Sequence, residues 1–454
     1  MQTRSQKGLY KRVLFLAIPM ALQNIITFSI GLADNLMVGS LGEFALSGAF
    51  VVNQVQNLLH MLVMGLGAAM TVLVTQYWGK KDLDSIKIIL GIALKSSIVA
   101  GIALFLATSL FPNQIIKLFS YETEVITEGL KYLNIIRFTY VFFCITQVLI
   151  ASMRCIETVK VGMYISLVTF VINVSLNWVF IFGHLGAPAL GIEGAAIATL
   201  IARIVETFLI IIYVRFMDSK LNFRFKDLLK NNLVLVKDFF KYGTPIISGD
   251  VLWGLNIAVQ GAIIGRLGAT ALASVSIANT VFSIVGVAVY GTAGASAVVI
   301  GQTVGLGEYD TVKEYAKKLQ ILFLIIGIFS GFTLFVVKDY VLLLYNVSEE
   351  TIFMATQFLT VLSITIVGTS YQMSSLTGIV RAGGSIHFVL INDLIFVWLV
   401  VIPSALIAAF VFHAPPVIVF FCLKSDQILK CAVAVVKVNR FTWIKNLTRD
   451  TEII

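Results

Sequence analysis

Long apolar stretches alternate with short polar segments along the whole chain. Each stretch is long enough to cross a bilayer as a helix, which takes roughly 20 residues. They fall at 13–37, 47–76, 88–111, 130–152, 161–183, 191–214, 243–265, 271–303, 319–344, 352–379, 386–411 and 415–438. Backbone groups in lipid must find hydrogen-bond partners within their own segment, which favours helices. The pattern therefore predicts an all-α polytopic membrane protein with twelve transmembrane helices.

The composition supports the same fold class. Of the 454 residues, 58% are hydrophobic and 13% are charged, whereas a soluble domain has roughly 45–50% apolar and about 25% charged residues. A soluble chain of this size cannot cover so much apolar surface with so few charges. Soluble enzymes, nucleic-acid-binding domains and secreted disulfide scaffolds are therefore excluded.

Basic residues concentrate on one side of the predicted membrane. If the N-terminus is cytoplasmic, the segments on that side carry 24 Lys and Arg residues and the outer loops carry four. By the positive-inside rule we expect both termini in the cytoplasm and a multi-pass protein of the cell membrane. The net charge of +9 thus reports topology and requires no nucleic-acid partner.

The two halves of the chain repeat each other at an offset of 226 residues. VGSLGEFAL at 38–46 aligns with IGRLGATAL at 264–272, and TQYWGKKDLDSIK at 75–87 aligns with GQTVGLGEYDTVK at 301–313. Six spans separate equivalent points, so both copies have the same orientation, as in transporters with the substrate site between two halves. We predict an N-terminal lobe at 1–214, a cytoplasmic linker at 215–241 and a C-terminal lobe at 242–454. The linker is either an amphipathic connector on the membrane surface or a solvated loop.

Four motifs together resemble one transporter family. They are DNLMVGSLG at 34–42, QYWGK at 76–80, Asn173 with Asn177, and GIEGAAIAT at 191–199. As a set, and along nearly the whole chain, they resemble the multidrug and toxic compound extrusion (MATE) family. The resemblance implies two six-helix lobes forming a V, and export of cationic or amphipathic compounds driven by inward flow of H⁺ or Na⁺. We expect no cofactor, small organic cations as substrates, a lipid environment and a monomer.

Asp34 is an acidic residue inside the first predicted helix, and its repeat partner is the neutral Gln260. Ionisable groups within membrane spans are costly and generally mark function. A carboxyl group in a low-dielectric medium keeps its proton to a higher pH than in water, and its charged form binds Na⁺ or an organic cation. One charge cannot hold ion and cationic substrate at once, which provides a basis for antiport. The alternative is an acid hydrogen-bonded for structure alone.

Two asparagines and a threonine are candidates for the same ion site. Asn173 and Asn177 are four residues apart, so they share a helix face, and each amide both donates and accepts. The resemblance implies that both, with Thr199, assist coupling at Asp34, where Asp34 and Asn173 would hold Na⁺ if that is the ion. Archaeal-type members of the family carry Asp at the position of Asn177, so this chain lacks one proton carrier. Interhelical bonding without ion chemistry is the alternative.

Pro19 lies on the helix that carries Asp34, fifteen residues earlier. Proline removes a backbone hydrogen bond and kinks a helix. The resemblance implies that this residue is a hinge at which the helix bends during transport. A static kink is the alternative.

The C-terminal half contains two acidic candidates for substrate binding. Asp250 shares a helix face with Trp253, and an anion beside an aromatic ring suits an organic cation. An acid favoured by the helix dipole is the alternative for Asp250. Asp393 is a second candidate, unless it pairs with a nearby cytoplasmic base.

Other intramembrane charges favour structural roles and limit the alternatives. Arg203 with Glu206, and Asp426 with Lys430, can each neutralise one another within one helix. An alternative function is a flippase for lipid-linked precursors, whose anionic head groups call for several cavity arginines, and only Arg137 and Arg203 are available. The sequence contains no Walker motif and no metalloprotease or serine-hydrolase motif, so we expect neither an ATP-driven pump nor an enzyme.

Overall fold

The computed structural model describes residues 2–343, 345 and 347–449, and these residues contain helices but no strand. The predicted end of the ninth span at 344, and the last five residues of the predicted C-terminal lobe, lie outside the described residues. The main helices are α1 (Gln2–Gly39), α2 (Glu43–Lys80), α3 (Leu83–Leu110), α4 (Thr123–Ile136 and Thr139–Cys155), α5 (Val159–Phe182), α6 (Ile192–Ile212), α7 (Leu233–Gly265), α8 (Ala269–Gly305), α9 (Tyr309–Leu342), α10 (Glu349–Ser375), α11 (Ile386–Val411) and α12 (Pro416–Lys424 and Asp426–Asn439).

These helices account for all twelve predicted spans. Among the described residues, ten are long and apolar enough to cross a membrane as single helices, and α4, whose two parts meet at 55°, adds an eleventh. The remaining helix, α12, is broken at Ser425 and carries four charged residues (Lys424, Asp426, Lys430 and Lys437). Its charges and its break explain why it falls short of the same criterion. The predicted fold class is confirmed.

The internal repeat is visible in the backbone. Gly42 and Gly268, which are repeat partners, both have positive φ, at 113° and 121°, in the turns after α1 and α7. Side chains rarely adopt this conformation, which explains the glycine at both positions. Glu157 and Gly384, which are 227 residues apart because the repeat is shifted by one residue there, also both have positive φ, at 59° and 102°, before α5 and α11.

Repeat partners also occupy equivalent helix crossings. Gly65 lies so close to Ile247 that an added Cβ would be 2.8 Å from its Cα, and Gly291 lies equally close to the backbone of α1, where Ala21 is one neighbour. Ala21 and Ile247 are themselves separated by 226 residues. Small residues allow such close approach of membrane helices. The repeat therefore produces two equivalent helix crossings, one between α2 and α7 and the other between α8 and α1.

The chain forms two compact units. One consists of Leu22–Val74 and Asp82–Val251, and the other of the chain up to Ala21, Thr75–Lys81 and the chain from Leu252 onward. Each has its own apolar core, built around residues such as Val52 and Leu133 in the first and Phe358 and Phe420 in the second. The unit boundaries fall within α1, close to the end of α2 and within α7. The lobes predicted at 1–214 and 242–454 stay a prediction.

The segment at 215–241 is attached to the start of α3. It is not a continuous loop, because α7 begins at Leu233, ten residues before the predicted start of the seventh span. Asp227 is buried and lies 3.2 Å from the ammonium of Lys230, which in turn lies 3.1 Å from Asp84 on α3. These ion pairs fix the middle of the segment to the same compact unit.

Candidate functional site

Three helices bring the residues predicted for ion coupling into one hydrogen-bonded chain. The amide nitrogen of Asn177 on α5 donates to the Asp34 carboxylate on α1 at 2.5 Å. The same nitrogen donates to the side-chain oxygen of Asn173 at 3.3 Å. The Asn173 amide in turn donates to the hydroxyl of Thr199 on α6 at 3.3 Å. The structure thus places all four candidates together, with both asparagines buried.

Tyr132 is a further member of this cluster that the sequence did not indicate. It is buried in the first part of α4, and its hydroxyl interacts with Thr199. A tyrosine in an apolar run has no distinctive spacing, and its position depends on the bend in α4. The cluster therefore draws polar side chains from α1, α4, α5 and α6.

One atom in the cluster has no protein partner. The side-chain oxygen of Asn177 is buried without a hydrogen bond among the described residues, whereas its nitrogen makes two. Buried polar atoms are nearly always satisfied by protein, water or an ion. This oxygen and the carboxylate of Asp34 are acceptors suited to a proton-bearing group or a hard cation.

Arg203 provides the positive charge nearest this cluster along α6, one turn after Thr199. Its guanidinium is bonded to Glu206 at 2.6 Å, as the spacing predicted, and lies 5.5 Å from the ring centre of Phe143. Its charge also acts on Asp34. Glu206 is thus the ion-pair partner of Arg203, and among the described residues no lysine or arginine lies within ion-pair distance of the Asp34 carboxylate.

Pro19 lies inside the continuous helix α1, and its repeat partner Pro245 lies inside α7. Both helices run through the proline without ending there. The role of Pro19 as a hinge stays a prediction.

The candidates in the C-terminal half lie in separate environments. Asp250 and Trp253 lie on α7, and the Trp253 side chain is exposed. Asp393 on α11 accepts a hydrogen bond from Lys430 at 2.8 Å, and Lys430 also lies 3.1 Å from Asp426 on its own helix. The alternative of pairing with a base is therefore the one seen for Asp393, although the base belongs to α12. Substrate binding by these residues stays a prediction.

At the repeat equivalent of Asp34, the structure places a different set of groups. Gln260 on α7 donates to the side-chain oxygen of Asn256 at 3.1 Å. Its own oxygen accepts from the ammonium of Lys424 on α12, also at 3.1 Å. The two halves thus share a scaffold but not the charge at this position.

Comparison with known proteins identifies the class. The sequence model of the MatE family matches residues 19–179 and 247–407, one copy in each half. The chain belongs to the MatE family, and it is a membrane transporter and not an enzyme. The predicted resemblance is confirmed.

Curated relatives match over most of the chain. The probable multidrug resistance protein YoeA of Bacillus subtilis is 25% identical over 414 residues, covering 89% of this chain and 88% of the relative. The probable multidrug resistance protein NorM of Thermotoga maritima is 23% identical over 448 residues, covering 97% and 95%.

Solved structures support the same fold. The eukaryotic MATE transporter AtDTX14 superposes with a TM-score of 0.86 at 18% identity, covering 98% of each chain. A mutant of the Vibrio cholerae MATE transporter VcmN superposes with a TM-score of 0.88 at 18% identity, covering 98% of this chain and 99% of that one.

Proposed function

We propose that this transporter is a secondary active multidrug exporter that moves cationic or amphipathic organic compounds outward in exchange for H⁺ or Na⁺. The observation that carries the proposal is the bond between Asn177 and Asp34. It holds a carboxylate inside the protein with an amide as its hydrogen-bond partner, and among the described residues no lysine or arginine forms an ion pair with it. Relatives named as multidrug resistance proteins support the substrate class.

The cluster offers a physical basis for exchange. A proton on Asp34 neutralises the carboxylate, and Na⁺ does the same with oxygen ligands from Asp34 and its amide neighbours, Asn173 among them. Either state removes the charge that attracts a cationic compound, so ion and substrate exclude one another. Thr199 and Asn177 keep the carboxylate oriented between the two states.

The remaining parts of the proposal concern topology and the transport cycle. Both termini lie in the cytoplasm, the protein acts as a monomer surrounded by lipid in the cell membrane, and its two lobes alternately open the route to each side. Asp250, Trp253 and Asp393 contribute to substrate binding. Pro19 is the hinge of α1.

Efflux of a fluorescent organic cation from proteoliposomes tests the proposal. A pH gradient and a Na⁺ gradient are applied separately, and we expect one of them to drive export by the unmodified protein. D34N is expected to abolish gradient-driven export while inserting normally. Asp310, whose side chain is 98% exposed, provides the matched control D310N, which should transport like the unmodified protein. Gradient-driven export by D34N at the unmodified rate would overturn the assignment.

A further inference from the structure

Lys424 gives the C-terminal half a positive charge close to Gln260, the repeat partner of the negatively charged Asp34. In the N-terminal half this position is Asp34, an anion, and in the C-terminal half it is Gln260, bonded to a cation. Lys424 lies in the predicted twelfth span, immediately before the break in α12 at Ser425. The repeat therefore brings opposite charges to equivalent places in the two halves.

The ammonium of Lys424 has few partners for a group inside a membrane span. It has three N–H donors, and its one hydrogen bond in the described part of the chain goes to the neutral oxygen of Gln260. No carboxylate of the described residues lies within 4.0 Å of it. The ring of Phe420 lies 5.5 Å away and adds a cation–π contact.

Lys430 on the same helix shows what a structurally paired lysine looks like in this protein. Its ammonium is bonded to Asp393 and Asp426, and its side chain is 2% exposed. Lys424 is half-buried, and among the described residues it has no such pair. A charge in a membrane protein is costly unless an opposite charge or water compensates it. The two free donors of Lys424 are thus available to an anion from outside the protein.

Gln260 is held in the orientation that such a site requires. Its amide nitrogen is bonded to Asn256, which is buried, so its oxygen faces Lys424. The charge of Asp426 also acts on Lys424, but that carboxylate is bonded to Lys430 and Gln427. An anion at Lys424 would therefore meet the ammonium beside a carboxylate that Lys430 already neutralises.

We propose that Lys424, positioned by Gln260 and Asn256, is a binding site for an anionic oxygen group, either the carboxylate of an amphipathic compound or the phosphate of a lipid. The site extends the substrate range to compounds that carry an anion as well as a cation. This extension to transported compounds rests on the proposed function, whereas the anion site itself is tested by binding alone.

Equilibrium binding with two matched dyes tests the site. One is a rhodamine with a free benzoate carboxylate, and the other is its methyl ester, in which a methyl group caps the carboxylate and removes the negative charge. Fluorescence anisotropy with the purified full chain in a non-ionic detergent measures both affinities. We expect K424M to weaken binding of the carboxylate dye about tenfold or more, since one charged hydrogen bond is lost. K424R should keep most of that affinity, and binding of the ester should change less than about twofold in both variants.

A lysine on the protein surface provides the control. K313M removes a lysine that pairs with Asp310 at the surface and should leave both dyes unchanged. Equal binding of the carboxylate dye to K424M and the unmodified protein, or equal weakening for both dyes, would overturn the proposal. Dye binding requires no ion gradient. The anion site can therefore be refuted without refuting the proposed ion-coupled export, which the efflux assay with D34N tests separately.

Nanodiscs separate the two sources of the anion. If a solute carboxylate is the ligand, preference for the carboxylate dye is kept when phosphatidylglycerol is added to phosphatidylcholine. If the phosphate of an anionic lipid is the ligand, adding phosphatidylglycerol abolishes the preference of the unmodified protein for the carboxylate dye. K424M shows no such preference with or without phosphatidylglycerol. Absence of any preference for the carboxylate dye in the non-ionic detergent, where no lipid phosphate competes, would contradict the site.

Discussion

Lys430 and Asp393 form an ion pair of 2.8 Å that joins α12 to α11 across 37 positions of sequence. The same ammonium bonds Asp426 at 3.1 Å, so one buried cation holds two carboxylates. Asp393 is 42% exposed at its side chain, whereas Asp426 is 4% exposed. Asp426 is therefore the group that depends most on Lys430.

K430M should destabilise the fold by about 3 kcal/mol, because a buried carboxylate loses its counter-ion. The thermal unfolding temperature of the purified protein measures the effect. K430M combined with D426N should recover part of the loss, since the uncompensated charge is then gone. K313M serves as control, and an unfolding temperature for K430M equal to that of this control would contradict the account.

Gln76 on α2 forms hydrogen bonds that hold the C-terminal segment, residues 443–449, against this helix. Its side-chain oxygen accepts from the backbone N–H of Leu447 at 2.7 Å, and its nitrogen donates to the carbonyl oxygens of Ala382 and Lys445. Q76L leaves these buried backbone groups without partners, which costs about 1–3 kcal/mol each.

We expect Q76L to accelerate hydrogen–deuterium exchange at residues 443–449 relative to the unmodified protein. Gln114, an exposed residue of the short helix Pro112–Lys117, offers the control Q114L, which should leave exchange there unchanged. Identical exchange in Q76L and Q114L would show that the segment is held by other contacts.

Asn177 is expected to be essential for coupling because its amide bonds both the Asp34 carboxylate and Asn173. N177L removes its bond to the carboxylate, and hydrogen bonds to charged groups are worth about 1.5–3 kcal/mol. Gradient-driven efflux should fall about tenfold or more. N35L, at an exposed neighbour of Asp34 on α1, should retain at least half of the activity. If N177L transported as well as N35L, the chain of amides would be structural only.

The attachment of the 215–241 segment should depend on pH at both extremes. Although burial opposes it, the backbone N–H of Arg224 and the ammonium of Lys230 hold the pKa of Asp227 below its usual value. Bonds to Asp84 and Asp227 raise the pKa of Lys230. The Asp227 contribution is present above the pKa of an unfolded Asp, about 4, and is lost as pH falls through its folded pKa. The Lys230 contribution is present below about pH 10 and is lost as pH rises through its folded pKa.

Hydrogen–deuterium exchange of residues 215–241, corrected for the intrinsic effect of pH, measures this dependence. Protection should be constant from about pH 5 to 9 and fall outside that window. D227N should lower protection at pH 7 and remove the acid-side loss. A D227N profile that matches the unmodified protein would refute the role of this ion pair.

The sequence predicted what depends on local pattern. Twelve helices follow from the lengths of apolar runs, and the repeat follows from polar identities such as Gln76 with Gln302. The sequence missed what depends on packing between helices. The run at 130–152 gave no sign of the break in α4 at Arg137, and so Tyr132 was not connected to Thr199.

Partners far apart in sequence were also missed. Asp393 was expected to bind substrate or a cytoplasmic base, and its partner Lys430 lies on another helix. The seventh span was predicted to begin at 243, because Lys237 and Asp238 interrupt the apolar run. The helix α7 begins earlier, at Leu233, since charged residues do not end a helix outside the membrane.

We propose that the Asp34 carboxylate holds either the coupling ion or a cationic substrate, but not both at once. The most direct measurement is ion release from the purified protein when a saturating organic cation is added, with H⁺ followed by a pH indicator in weak buffer and Na⁺ by a radioactive tracer. We predict that the unmodified protein releases one of the two ions on substrate binding and that D34N releases neither. Substrate binding that releases no ion from the unmodified protein, or equal release from D34N, would contradict the account.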